Sequence, residues 1–413
     1  MLDGLPQHLP GLAGRIPRMS LAELPTPLEG GSFTLPGNRP FRIAIKRDDL
    51  TGRPYGGNKV RKLEFLLARA RERGATRVAT FGTVASNHAL ATAIYAQATG
   101  FACTCFLSHQ TRTPKAARTL NHHLELGTEI VRYGGPRPRR IETLRRHLCG
   151  GPRTWVIPMG GSCWLGALGF VDAGLELAGQ LESNGTALPA RVYVANGTMG
   201  TTAGLALGLV LAGFETEVHA VRVTHETIAN PAALARLVAK TATMLHAIDT
   251  RVPADLAARA RIVFRDGFFA GGYARSDAAT DAAVALARGE LGLELDTTYT
   301  GKAMAALVAD ARETPAASGS WLFWNTFNSR PLPKLPREPL DPERLPGEFL
   351  RYFEGASSGG GSAGGSASRR SFSACASSAS RRLRLTSSSI RSSHSVTSPP
   401  PRASARPSAR APR

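Results

Sequence analysis

Lys59 follows two glycines, Gly56 and Gly57, in the run KRDDLTGRPYGGNKVRKLE. Glycines there allow a tight turn and close approach of other backbone. The lysine then falls on the first turn of a helix, where the positive end of the helix dipole disfavours an ammonium and lowers its pKa. Burial acts in the same direction. A lysine with a lowered pKa is what Schiff-base chemistry requires. The alternative is a solvated lysine beside Lys62. Three other stretches offer chemistry. Ser86, Asn87 and His88 close an apolar run and open a helix, as a cap or as an anion site. Gly197, Gly200 and Gly204 give G-x-x-G-x-x-x-G directly after an apolar run. This spacing matches neither the dinucleotide fingerprint nor the P-loop, and leaves a phosphate cradle or a plain tight turn open. Tyr299 and Thr300 precede Gly301 and a helix. Thr300 reads as its cap, and the Tyr299 hydroxyl as a usable proton donor or acceptor.

Each stretch is weak alone. Together they supply a lysine for an aldehyde, a turn for one phosphate and several hydroxyls. Pyridoxal 5′-phosphate (PLP) needs that set.

The elements that must position these groups alternate regularly. FRIAIKRDD (41–49), TRVATFG, FACTCFL, TEIVRY, TWVIPMG, RVYVANG, TEVHAVRVT and SWLFWNT read as strands. Helical spacing follows most of them, as with Leu63, Leu66, Leu67 and Ala70, or the long stretch from about Leu165 to Leu181. Such alternation predicts an α/β fold with mainly parallel sheets and ligands outside the carboxyl ends of the strands. Cys103 and Cys105 share one strand face and read as core. His122-His123 reads as a solvated helix pair, and Arg137, Arg139 and Arg140 as a solvated loop.

Composition removes several function classes. No apolar run is long enough to cross a bilayer, and the N-terminus lacks a secretory pattern. Five cysteines without C-x-x-C argue against a disulfide framework or a structural zinc, and fit the cytoplasm. The formal charge of +20 suggests nucleic acid, but ten of the arginines lie in 356–413, a Ser/Gly/Arg/Pro-rich stretch without acids. That composition predicts a disordered tail, leaving nucleic acid at most to the tail itself.

KRDDLTG-x-x-x-GGNK-x-RKLE, then SNH, the glycine-rich turn and YTGKAMA, resemble the D-cysteine desulfhydrase and 1-aminocyclopropane-1-carboxylate (ACC) deaminase family. The resemblance spans about Leu21 to Pro331. It implies a two-domain, tryptophan-synthase-β-like PLP enzyme of fold type II. A large domain of 1–61 and 169–355 would carry a small inserted α/β domain, 62–168, with parallel-rich sheets flanked by helices in both. It also implies PLP as cofactor and a homodimer. Lys59 would be the Schiff-base lysine and the α-proton base. Asn87 would bind the cofactor's ring oxygen. Ser86 and His88 would lie where the substrate carboxylate docks. Gly197, Thr198, Met199, Gly200 and Thr201 would hold the phosphate. Tyr299 and Tyr273 match active-site tyrosines, and Thr326 a threonine of the family's H-T-G-G stretch.

Thr300 bears on reaction type. By the resemblance Thr300 would bind the cofactor at its pyridine nitrogen. Members that open the cyclopropane ring carry glutamate there, which can keep that nitrogen protonated. The desulfhydrase side carries threonine, which supports it less as an electron sink. The resemblance therefore implies β-elimination from a small amino acid of D-cysteine type, giving pyruvate, ammonia and sulfide. ACC ring opening and PLP binding without turnover are the alternatives. The chain departs from the family at Ala85, Leu90, Ala91, Met199, Cys163, Trp164, Asn325, Phe327 and Asn328. Trp164 and Phe327 are expected to narrow the pocket.

Overall fold

The computed structural model describes Leu5 and residues 9–149, 151–314 and 320–354. The tail from Ala356, with Cys375, lies outside them. Strands form where β-branched and aromatic residues cluster between turns. They are β1 (Leu28–Leu35), β2 (Arg39–Lys46), β3 (Arg77–Thr83), β4 (Ala102–Ser108), β5 (Glu129–Arg132), β6 (Thr154–Val156), β7 (Pro189–Asn196), β8 (Glu217–Arg222), β9 (Ile262–Arg265) and β10 (Ser320–Trp324). The helices are α1 (Lys59–Glu72), α2 (Asn87–Ala98), α3 (Pro114–Glu125), α4 (Arg137–Leu148), α5 (Trp164–Ser183), α6 (Gly200–Leu211), α7 (Pro231–Ile248), α8 (Leu256–Arg259), α9 (Ala278–Leu291) and α10 (Thr300–Glu313).

Two sheets result. One has the order β1-β2-β10-β7-β8-β9, the other β5-β4-β3-β6. Every pairing is parallel except β1 with β2. The expected α/β fold with parallel-rich sheets is therefore present. The hairpin strand β1 and the short β9 escaped the sequence reading. Parallel strands send their carboxyl ends to one side, and the loops after β3, β6, β7, β8 and β10 all reach one cavity.

Three readings are corrected. His123 is fully buried and His122 nearly so, because α3 packs that face into the core. Burial, with His122 beside it, pushes the His123 imidazole down to about 3. Arg137, Arg139 and Arg140 belong to α4, not to a loop, although they remain exposed. Gly204 is a packing residue rather than part of a phosphate turn: a Cβ there would lie 2.1 Å from the Ala167 carbonyl of α5. Cys103 and Cys105 are buried, as expected.

A buried ion network fixes the start of α1. Arg61 donates to both oxygens of Asp48 and, at 2.9 Å, to both oxygens of Glu176 on α5. Lys46, at the end of β2, pairs with Glu176 at 2.6 Å. Trp324 Nε1 of β10 donates to Asp48 Oδ2 at 2.9 Å, and Thr26 Oγ1 donates to Asp48 Oδ1 at 3.0 Å. Two cations face two carboxylates, so the cluster is neutral. Each charge is hydrogen-bonded, which burial of ions demands. Much of the K-R-D-D and R-K-L-E signature is thus structural: Lys46, Asp48 and Arg61 form the network. Glu64 accepts from Arg18 and from the Leu21 and Ala22 N–H groups.

The segment after β10 is fastened to the other sheet. Asn121 of α3 donates to the Pro336 and Glu338 carbonyls. Tyr352 Oη bonds the Gln110 N–H and carbonyl and lies 3.1 Å from His109 Nδ1.

Burial pushes Glu176 up, but Arg61 and Lys46 together hold it down, at about 2 against an ordinary 4.5. A depressed carboxylate stabilises the fold above its unfolded pKa, and that stability is lost as pH falls from about 4.5 through 2. Glu176→Gln strands buried positive charge and should cost about 3–5 kcal/mol. Urea unfolding at neutral pH, and acid titration of stability, measure both effects. A loss under about 1 kcal/mol would show that the network relaxes without Glu176.

Candidate active site

The cavity holds about 310 Å³, enough for a small cofactor with a small substrate at its edge. Lys59, the first residue of α1, lines it. Gly56 and Gly57 set its approach: Gly57 adopts φ 89°, and a Cβ on Gly56 would lie 1.9 Å from the Asp49 carbonyl. Lys59 Nζ donates to Asn58 Oδ1 at 2.7 Å, and Asn58 Nδ2 to Thr201 Oγ1 at 2.8 Å. The lysine loop is thereby tied to the glycine-rich turn. Burial pushes Lys59 down to about 8, with Asp296 opposing and Lys115 assisting.

The loop after β10 supports the same lysine. The Asn58 N–H donates to the Thr326 carbonyl at 3.2 Å, and the Gly56 N–H to Asn328 Oδ1 at 2.6 Å. Thr326 and Phe327 both line the cavity. Trp164 does not line it and packs against the hydrophobic core, so of the two large residues only Phe327 borders the cavity.

Ser86 caps α2, its Oγ accepting from the Ala89 N–H at 3.2 Å, and also lines the cavity with Asn87 and His88. The cap and the site are therefore the same residue. Thr80 Oγ1 lies 2.9 Å from His88 Nε2 and 3.0 Å from the Ile157 carbonyl oxygen, so the imidazole is held in place at Nε2. Burial first, then Lys59 and Lys62, lowers the His88 pKa well below the usual range. His88 is a neutral imidazole whose buried Nδ1 has no partner among the described residues.

The turn between β7 and α6 places Gly197, Thr198, Met199 and Thr201 on the cavity. Met199 has φ 69°, a left-handed conformation that costs a non-glycine residue about 1–2 kcal/mol. Methionine therefore keeps the turn that glycine would form without strain. Facing it are Gly160, Ser162 and Lys62. Ser162 Oγ lies 2.7 Å from Thr198 Oγ1 and accepts from the Gly200 N–H at 3.2 Å. Lys62 Nζ donates to the Gly160 carbonyl at 3.2 Å. A Cβ on Gly200 would approach Ser162 Oγ to 2.7 Å and Lys62 Nζ to 3.0 Å. Hydroxyls, N–H groups of a helix start and the buried amine of Lys62 converge there, and no carboxylate lines the cavity among the described residues. That donor set fits a phosphate.

Tyr273 and Tyr299 also line the cavity, their hydroxyls 2.5 Å apart. Burial raises both phenols, Tyr299 well above the ordinary value. Thr300 is fully buried and is not among the lining residues. Its hydroxyl donates to Asp296 Oδ1 and accepts from the Asp296 N–H, both at 3.0 Å. Lys302, on the same helix, donates to the Phe269 and Gly272 carbonyls and so holds the loop that carries Tyr273.

Sequence reasoning missed Lys62, Ser162, Lys115, Asp296 and Lys302 as parts of this assembly. Ser162, in the GGS stretch, and Lys62, one turn along from Lys59, had a local signal. The others are brought in only by tertiary packing.

A model of the pyridoxal-phosphate dependent enzyme family matches residues 19–325. Among solved structures, one described as an ACC deaminase homologue superposes with a TM-score of 0.64 at 27% identity. It covers 78% of this chain and 95% of its own. A fungal L-serine ammonia-lyase from Rhizomucor miehei superposes with a TM-score of 0.51 at 19% identity, covering 75% and 95%. The latter is a likeness of fold.

Lys59 should lose its proton near pH 8. Its labelling by an amine-directed reagent, scored by peptide mass spectrometry, should rise with pH to a midpoint near that value. A midpoint at the ordinary 10.5 would show that the cavity does not desolvate the ammonium.

Proposed function

We infer the function from one premise: this chain belongs to the pyridoxal-phosphate-dependent enzyme family, with its fold-type II arrangement. PLP is accordingly its cofactor. Lys62, Ser162, Thr198, Gly200 and Thr201 would hold the phosphate, Asn87 the ring oxygen and Lys59 the aldehyde carbon. When bound, PLP supplies an electron sink for bonds broken at the α-carbon of an amino acid.

The chain's own groups do the rest. Lys59, near neutrality at about pH 8, can take a proton from that carbon and return it. The Ser86 hydroxyl and the first N–H groups of α2 offer donors to a substrate carboxylate. His88, neutral and held at Nε2 against Thr80, orients the loop that carries Ser86 and Asn87. The paired phenols of Tyr273 and Tyr299 stay protonated and can give a proton to a departing group.

The reaction we favour is β-elimination from a small amino acid of D-cysteine type, yielding pyruvate, ammonia and sulfide. One observation carries it. The hydroxyl of Thr300 is turned to Asp296, and no carboxylate lines the cavity among the described residues to hold a ring nitrogen protonated. A weaker sink suits expulsion of a good leaving group better than ring opening. ACC ring opening is the second reading, favoured by the likeness to the ACC deaminase homologue. We also propose that 62–168 forms the smaller domain around the four-stranded sheet, and that the enzyme works as a homodimer.

Purified protein with PLP, incubated separately with D-cysteine, L-cysteine, D-serine and ACC, should give pyruvate from D-cysteine. Lys59→Ala should abolish it. Mass spectrometry identifies the oxo acid. 2-Oxobutanoate from ACC would overturn the reading of Thr300.

A further inference from the structure

Lys115 is the second residue of α3, outside every motif in the chain. Its Nζ donates to Asn87 Oδ1 at 2.6 Å and lies 4.8 Å from the centre of the Phe327 ring. It forms no ion pair with a carboxylate among the described residues, although it feels the field of Asp296. Tyr55 Oη reaches the same Asn87 oxygen at 3.5 Å.

An ammonium has only donors, so it dictates which end of an amide it faces. Amide orientation is otherwise a choice between two atoms of nearly equal size. With Oδ1 held by Lys115, the Asn87 Nδ2 group must lie on the other side. That group makes no hydrogen bond to any described residue, and Asn87 lines the cavity. Phe327 covers the ammonium with its ring face, an arrangement that favours a cation. The family's glycine at this position could not do so. Phe327, a departure from the family pattern, thus meets Lys115 beside a site residue.

We propose that Lys115 is a positioning residue that locks the Asn87 amide with its N–H donors toward the cavity, and that Phe327 holds Lys115 in place. The acceptor on the cavity side is an anionic or phenolic oxygen, which is the ring oxygen of PLP if the functional reading above holds. Phe327 then acts on the cofactor through Lys115 rather than through the volume it fills.

A double-mutant cycle on PLP affinity tests this. Dissociation constants are taken from absorbance titration of cofactor-free protein, with the bound-cofactor band as a second readout. Asn87→Ala should weaken binding about tenfold, the loss of one hydrogen bond to a charged group. Lys115→Met should weaken it by a similar factor. The double variant should be no weaker than Asn87→Ala alone, because the lysine acts through the asparagine. Phe327→Gly should weaken binding in the parent and change nothing in Lys115→Met. If Lys115→Met fails to fold, Lys115→Leu replaces it with the same expected loss, and Lys115→Arg, which also carries only donors, should keep affinity within about threefold of the parent. Losses that multiply in the double variant, or an unchanged constant in Lys115→Met, overturn the positioning role alone. Failure of the parent protein to take up PLP overturns the functional reading and this proposal together.

Discussion

The neutral cluster of Lys46, Asp48, Arg61 and Glu176 is the constraint on which the site depends. It joins the end of β2, the first turns of α1, the body of α5 and, through Trp324, the end of β10. Buried charges tolerate little displacement, because each oxygen and each N–H that loses its partner stays out of water. The loop from Asp48 to Lys59 is therefore closed over a fixed base, and Lys59 has one place to go. The same logic explains why the turn there is built of glycine. The backbone must pass within contact of the Asp49 and Thr326 carbonyls, and no side chain fits between.

Electrostatically, the cavity is a donor-rich space with acids kept one layer back. Lys59 and Lys62 line it, Lys115 stands behind Asn87, and Asp296 supports the helix start at Tyr299 and Thr300 through its Oδ1. Such a field attracts anions and depresses the lysines' own pKa values, for which burial is the larger cause. The arrangement suits a ligand that brings its own negative charge and neutralises the site on arrival.

Much of this was legible in the sequence because the signals are local. Lys59 after two glycines, Ser86 before a helix and the glycine-rich turn after β7 each combine a strand end with a helix start within about ten residues. What was not legible depends on distance along the chain. Lys115 meets Asn87 across 28 positions, Lys302 meets Phe269 across 33, and Arg61 meets Glu176 across 115. His123 looked like half of a solvated pair, although Ala116, Leu120 and Leu124 at helical spacing put it on the apolar side of its helix. Met199 shows the converse limit. A residue with the wrong propensity sits in a left-handed turn because the packing around it outweighs the strain.

The fastening after β10 sets where the protein can be cut or joined. The last strand ends at Trp324, but Tyr352 still grips Gln110 and His109, and His109 lines the cavity. A truncation or fusion point drawn at the sheet's edge would thus remove a brace of the site while leaving both sheets whole. The natural boundary for engineering this enzyme lies beyond Tyr352, some thirty residues past the end of its recognisable architecture.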